Sequence, residues 1–316
     1  MKIGKLATSD RHLLRRSLPY PSARAAFRAF LQAAAPGPGE HVLLPAYIGW
    51  SPREGSGVFD PVAELGLSPL FYHMDERLDI DLDSLERCFR SGRVRVFVII
   101  HYFGRVDPSY REAVRMAREH GALVLEDEAH ALLSDLIGGI CGRLGDASIF
   151  SLHKMLPVPT GGTLLLSEGC CEPPPGPVEV DGGPHPWDFD LKRMADRRQE
   201  NSALLMDLLR PLAGEVDPLW PSVEPGTVLQ TLPVVISRAP RDEVYFELND
   251  AGFGVVSLYH TLIDRLPRER FPASHWLARR VMNLPVHHDA APADLRAMVD
   301  ALAEAVRRPR ATEIAC

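Results

Sequence analysis

The sequence predicts an α/β protein: a large domain built on a mainly parallel sheet, followed by a smaller C-terminal α+β domain. Between Ser22 and about Leu166, short and continuously apolar runs alternate with helical segments, the pattern of strands covered by helices on both faces. Past Leu166 the texture breaks at CCEPPPGPVEVDGGPHPW, residues 170–187, too rich in proline and glycine for regular structure and long enough for a crossing or binding loop. From about Glu215 strands and helices resume over a shorter span. A chain of 316 residues is long enough for two cores, so the expected division is 1–187 for the large domain, 188–214 for a connecting helix and 215–316 for the small domain.

The elements follow in order. SARAAFRAFLQAAA is helical and stops at PGPGE; HVLLPAY, SPLFYHM and RVFVIIHYF read as strands. PSYREAVRMAREHG is a helix closed by glycine, and ALVLEDEAH is a strand that runs into acids. DFDLKRMADRRQENSALLMDLLRPLAG is charged on one side and apolar on the other, which suits a helix joining two domains. Beyond it come a strand at VLQTLPVVIS, a helix at RDEVYFELNDAG, a strand at FGVVSLYH, the segment SHWLARRVMNLPVHHD and a last helix, PADLRAMVDALAEAVRR. There is no internal repeat.

Composition excludes several functions. A net charge of −7 leaves no basic footprint for nucleic acid. No apolar run reaches the roughly 18 residues of a membrane span, and the start has no signal-peptide core, so the expected compartment is the cytoplasm. Cys88, Cys141, Cys170, Cys171 and Cys316 form no CxxC pair, and their odd number points to free thiols. GxGxxG after the first strand, GxxxxGK[ST] and GxSxG are all missing.

Two strand ends carry chemistry. In VLEDEAH an apolar strand delivers Glu126, Asp127 and His130 to its carboxyl end; in FSLHKMLPVPTGGTLLL the next one delivers Ser151, His153 and Lys154. An ammonium inside an apolar run is costly unless it is paired, reaches solvent or has a lowered pKa. Taken singly, an acid after a strand is more often a cap and a lysine more often solvated. Together, a carboxylate, a lysine, a serine three residues before it and glycines after it are the parts that hold pyridoxal phosphate. The lysine forms a Schiff base with the aldehyde, the carboxylate keeps the ring nitrogen protonated, and the serine donates to phosphate. PYPSARAAF adds a helix start at Ser22 and Ala23 where backbone N–H groups can meet a phosphate, unless Ser22 is only a cap. PAYIGW offers Tyr47 and Trp50 as rings to stack on the cofactor, or as packing residues.

With these segments in this order, the chain resembles the DegT/DnrJ family of fold-type I pyridoxal-phosphate enzymes, the sugar aminotransferases. LEDEAH followed by LGDASIFSLHK is the most specific part, and FPASHWLARRVMNLPVHHDAAPADLRAMVDALAEAV resembles the family's C-terminal end. The resemblance implies Lys154 as Schiff-base lysine and proton shuttle, Asp127 on the pyridine nitrogen, and His130 in place of a glutamine beside the ring, within reach of the phenolic oxygen. It further implies Ser151, Ser22 and Ala23 on the phosphate, and Trp50 or Tyr47 against the ring. An amino donor, glutamate in the family, and a keto-sugar acceptor are implied, as is a homodimer with shared sites. Elimination or cyclisation with the same cofactor, or a non-catalytic role, are the alternatives. Two departures stand out: only Leu152 and His153 separate Ser151 from Lys154, and WDFDLKR replaces the family's GFNYR-like stretch. Asp190 then stands where an asparagine would reach the neighbouring subunit's phosphate, so that either Lys192 or Arg193 takes over or the contact is lost.

Overall fold

The computed structural model describes residues 15–174 and 185–309. Residues 175–184 of the expected proline-rich loop lie outside them, as do the first 14 residues and Cys316. The first part runs β1 (Arg16–Tyr20), α1 (Ala23–Ala34), β2 (Glu40–Pro45), α2 (Phe59–Glu64), β3 (Ser68–Tyr72), α3 (Leu82–Ser91), β4 (Arg93–Ile100), α4 (Tyr110–Glu119), β5 (Leu123–Asp127), α5 (Leu132–Leu136), β6 (Ala147–Ser151) and β7 (Gly162–Leu166). The second part runs α6 (Leu191–Leu209), β8 (Val216–Pro218), β9 (Thr231–Ile236), α7 (Arg241–Asp250), α8 (Pro272–Arg280), β10 (Val281–Pro285) and α9 (Pro292–Arg307).

The large sheet has seven strands in the order β1-β7-β6-β5-β4-β2-β3. β2 to β6 are mutually parallel, whereas β7 runs antiparallel to both β6 and β1. Leu43, Leu44, Val96, Phe97, Val124 and Leu125 are fully buried along these strands, as continuous apolar runs in a two-sided sheet must be. Reversal of β7 has a positional consequence: its first residue, Gly162, pairs with the last residue of β6, Ser151, and with the last residue of β1, Tyr20. The amino end of α1, which follows Tyr20, therefore reaches the same edge as the carboxyl ends of β2, β4, β5 and β6. Three further strands, β10-β9-β8, form a separate antiparallel sheet.

Three expectations change. β1 was not foreseen, because RSLPY carries a proline; as the outermost strand it tolerates one. The strand expected through Phe103 ends at Ile100, and Tyr102–Gly104 form a tight turn. FGVVSLYH is not a strand: only Val256 pairs, in an isolated bridge with Asn283, and Tyr259 takes a positive φ of 60°. Val255 is buried and Val256 is 37% exposed, but the left-handed backbone at Tyr259 and at Gly254 breaks the extended run on either side of them.

Candidate active site

At the end of β5 successive side chains point to opposite faces of the sheet. Glu126 turns away from the edge, where its carboxylate accepts His101 Nε2 at 2.9 Å and the N–H groups of Gly142, Leu144 and Gly145 at 2.7, 3.2 and 2.6 Å. Burial alone would raise this carboxyl; these bonds outweigh it and hold it at about 2. Glu126 is thus an anchor for the 142–145 turn. Asp127 faces the edge, 6% exposed, with Oδ1 accepting the Ala129 N–H at 2.9 Å. Burial raises its pKa, opposed by the Ala129 N–H and by the charges of Lys154 and His101.

His130 follows one turn later and is held by a strained backbone. Phe103 sits in the left-handed region (φ 56°, ψ 17°), a conformation that costs a non-glycine residue about 1–2 kcal/mol. Gly104 after it leaves no room for a side chain, since a Cβ would lie 2.5 Å from the Val228 carbonyl. This turn aims the Phe103 N–H at His130 Nδ1 (3.2 Å) and lays the Phe103 ring parallel to the imidazole, 5.8 Å between centroids and 8° between planes. Gln230, just before β9, donates to the Phe103 carbonyl at 2.8 Å and locks the turn to the second sheet.

Lys154 comes from the end of β6. The short interval after Ser151 is a single 3-10 turn, Leu152–Lys154, with Leu152, Met155 and Leu156 buried against Phe150, Leu165 and Met194. Lys154 Nζ stands 3.0 Å from His130 Nε2. Lys154 is exposed, whereas its neighbours Asp127 and His130 are buried, so the amine lies where the buried carboxylate and imidazole meet water. Surrounding protein lowers its pKa, opposed by Asp127 and Glu54. Burial holds the His130 pKa well below the usual imidazole range, and repulsion between an imidazolium and a protonated Lys154 would lower it further. Because Nδ1 accepts from a backbone N–H, a neutral imidazole must carry its proton on Nε2, and that proton can point at Lys154 only if the amine offers a lone pair.

Ser22 caps α1, its Oγ accepting the Ala25 N–H at 3.2 Å, and Ala23 opens the helix. Gly162 lies against this turn so closely that a Cβ would stand 2.2 Å from the Ser22 carbonyl carbon and 2.4 Å from the Ala23 nitrogen. Ser151, 3% exposed, is its register partner on β6. Tyr47 is wholly buried, with ring contacts to Tyr102 (5.7 Å) and Tyr259 (5.1 Å), and its hydroxyl has no hydrogen-bond partner among the described residues. Trp50 lies apart, 43% exposed.

The structure therefore brings together Lys154, His130, Asp127 and, through the aromatic cluster, Tyr47; at the same edge it places Ser151, Ser22 and Ala23. Asp190 is the N-cap of α6, accepting the Arg193 N–H at 3.0 Å, and Lys192 pairs with Asp196 at 2.5 Å on the helix surface. Phe103, Gly104 and Tyr259 were missed. Tyr259 reaches in from the second part of the chain to lie 6.2 Å from the His130 ring, with its own Cδ1 over Gly49. The adjacent tyrosine and histidine of SLYH were the signal available in the sequence.

These residues fit pyridoxal phosphate by their donor set. One amine is disposed to be uncharged, one carboxylate has an oxygen left after its backbone bond, one buried phenol lacks a partner, and a helix start is approached by a glycine where a side chain could not fit.

Fold and site together define the class, an α/β chain of the fold-type I pyridoxal-phosphate transferases. The chain belongs to the DegT/DnrJ/EryC1/StrS aminotransferase family, whose profile matches residues 15–169 and 190–303. It is 25% identical over 330 aligned positions to dTDP-4-dehydro-2,3,6-trideoxy-D-glucose 4-aminotransferase of Saccharopolyspora spinosa, covering 90% of this chain and 83% of that protein. It is 32% identical over 149 residues to the spore coat polysaccharide biosynthesis protein SpsC of Bacillus subtilis (strain 168), covering 46% of this chain but only 36% of that protein. In fold it matches the crystal structure of DesI in the presence of its TDP-sugar product, with a TM-score of 0.75 at 22% identity over 93% of this chain and 81% of that one. Among the described residues no helix is long and apolar enough to cross a membrane.

Proposed function

We propose that this chain is a pyridoxal-phosphate-dependent aminotransferase that moves an amino group from an amino-acid donor, glutamate foremost, to a keto-sugar carried on a nucleotide. The observation that carries the reading is the 3.0 Å contact between Lys154 Nζ and His130 Nε2, beside Asp127 at the carboxyl edge of the sheet. The cofactor, when bound, supplies an aldehyde that condenses with amines and a ring that draws electrons from the substrate carbon.

Lys154 would provide the amine that holds the aldehyde and, when free, a base that takes up and returns a proton at Nζ. Asp127 holds a proton on the ring nitrogen by charge and by hydrogen bonding. His130 keeps Nε2–H directed into the cleft, toward Lys154 or the phenolic oxygen. Ser22, Ala23 and Ser151 receive the phosphate at the start of α1, where the helix dipole favours an anion. Tyr47, packed on Tyr259, bounds the ring pocket, and Trp50 stands nearer solvent, where a larger substrate arrives. A homodimer with active sites completed by the partner accompanies this reading.

The support for a sugar acceptor is family membership and the names of the relatives above. The test is a pair of half-reactions followed by absorbance. Glutamate should convert the loaded enzyme to its pyridoxamine form, and a nucleotide-linked keto-sugar should convert it back. Failure of every amino-acid donor to bleach the loaded enzyme would sink the reading.

A further inference from the structure

Cys170 and Cys171 lie just beyond the end of β7, in the turn after Leu166, and the proposed reaction uses neither. Their sulfurs are 3.7 Å apart, and both side chains are partly exposed. The Cys170 N–H donates to the Ser167 carbonyl at 3.2 Å, which fixes the turn that presents them. Hydrogen bonding from Cys170, with help from Arg95 and against burial and Asp146, brings Cys171 down to about 7, and the same hydrogen bond holds the donor thiol of Cys170 up. A partly exposed thiolate near neutral pH is both a nucleophile and a soft ligand.

Two fates compete for such a pair. A direct S–S bond needs about 2.05 Å between sulfurs and usually 4.4–6.8 Å between Cα atoms. Adjacent residues hold their Cα atoms only about 3.8 Å apart, so a bond between them is strained and easily reduced. A centre bound to both sulfurs by bonds of about 2.3 Å holds them roughly 3.3 Å apart at a pyramidal angle and roughly 3.8 Å apart at a tetrahedral one. At 3.7 Å the two thiols are unbonded and in hydrogen-bond contact, close enough for one centre to reach both sulfurs.

We propose that Cys170 and Cys171 form a two-thiolate site for a soft, thiophilic centre that takes a pair of sulfur ligands, as trivalent organoarsenicals do. With an arsenic(III) oxide, two As–S bonds form, each thiol surrenders its proton to the oxide oxygen, and that oxygen leaves as water. No oxidation state changes, so no oxidant is needed.

The experiment uses the reduced full chain and about one equivalent of phenylarsine oxide, read by intact mass and thiol titration. The expected result is one arsenical per chain with two thiols consumed, resistant to an excess of 2-mercaptoethanol and released by 2,3-dimercaptopropanol. Cys170→Ser and Cys171→Ser should each abolish the monothiol-resistant adduct while keeping the wild-type circular dichroism, and Cys88→Ser should retain it. An adduct that survives in Cys170→Ser, one stripped by the monothiol, or no adduct on the wild type would overturn the proposal. None of these readouts requires the cofactor, so the outcome is independent of the aminotransferase reading.

Discussion

His130 Nε2 and Lys154 Nζ stand 3.0 Å apart, and the bond that the Phe103 N–H gives to Nδ1 decides which of them holds the proton. With Nδ1 occupied as an acceptor, Nε2–H is the donor and the lysine is the acceptor, hence an uncharged amine. The strain at Phe103 and the missing side chain at Gly104 then have a chemical purpose, because together they fix the tautomer that keeps a nucleophile free.

Replacing His130 by Gln removes that constraint, since an amide oxygen can accept from an ammonium as readily as an amide N–H can donate. The apparent pKa of Lys154 should rise, because the ammonium regains a hydrogen-bond acceptor. Mass-spectrometric quantitation of Lys154 reductive methylation against pH, in protein without cofactor, reads this directly. An unchanged profile would mean that the tautomer does not govern the amine.

Gly162→Ala tests the edge where α1 meets the sheet. A methyl 2.2 Å from the Ser22 carbonyl carbon must push β7 and α1 apart, at a cost of about 1–3 kcal/mol, as in other overpacked sites. Urea unfolding should show that loss, and pyridoxal phosphate affinity should fall with it; full affinity in a destabilised variant would separate the glycine from the phosphate site.

Asp107 gives a pH signature. It is 8% exposed and accepts the Ile80 and Ser109 N–H groups at 2.8 and 2.7 Å, tethering the chain just after the Phe103 turn. Burial raises its pKa from 3.8 to about 6, against those two bonds and with repulsion from Asp79. The folded state therefore holds this proton more tightly than the unfolded chain, so its contribution to stability is greatest below pH 3.8 and is lost as pH rises toward about 6. Relative to Asp107→Asn, wild type should lose about 3 kcal/mol across that window. Parallel stability curves for the two proteins would refute the assignment.

How much of this was legible in the sequence depends on how local each feature is. Asp127, His130 and Lys154 sit on two strand-end motifs, each readable in a few residues, and the parallel strands announce themselves as continuous apolar runs. Phe103 gave no sign of its left-handed backbone, because HYFG continues an apolar strand and only contact with Val228 and Gln230 bends it. Tyr259 was hidden for a similar reason: its place beside Tyr47 and His130 follows from packing across more than a hundred residues of chain, which no window contains. The brevity of the Ser151–Lys154 interval was visible, but its meaning, one 3-10 turn seated on a small apolar cluster, required the fold.

The most direct measurement is borohydride reduction of the protein after incubation with pyridoxal phosphate, followed by peptide mapping. The account predicts one pyridoxyl group, on Lys154, and none in Lys154→Ala. Label spread over other lysines, or label retained in Lys154→Ala, would contradict it.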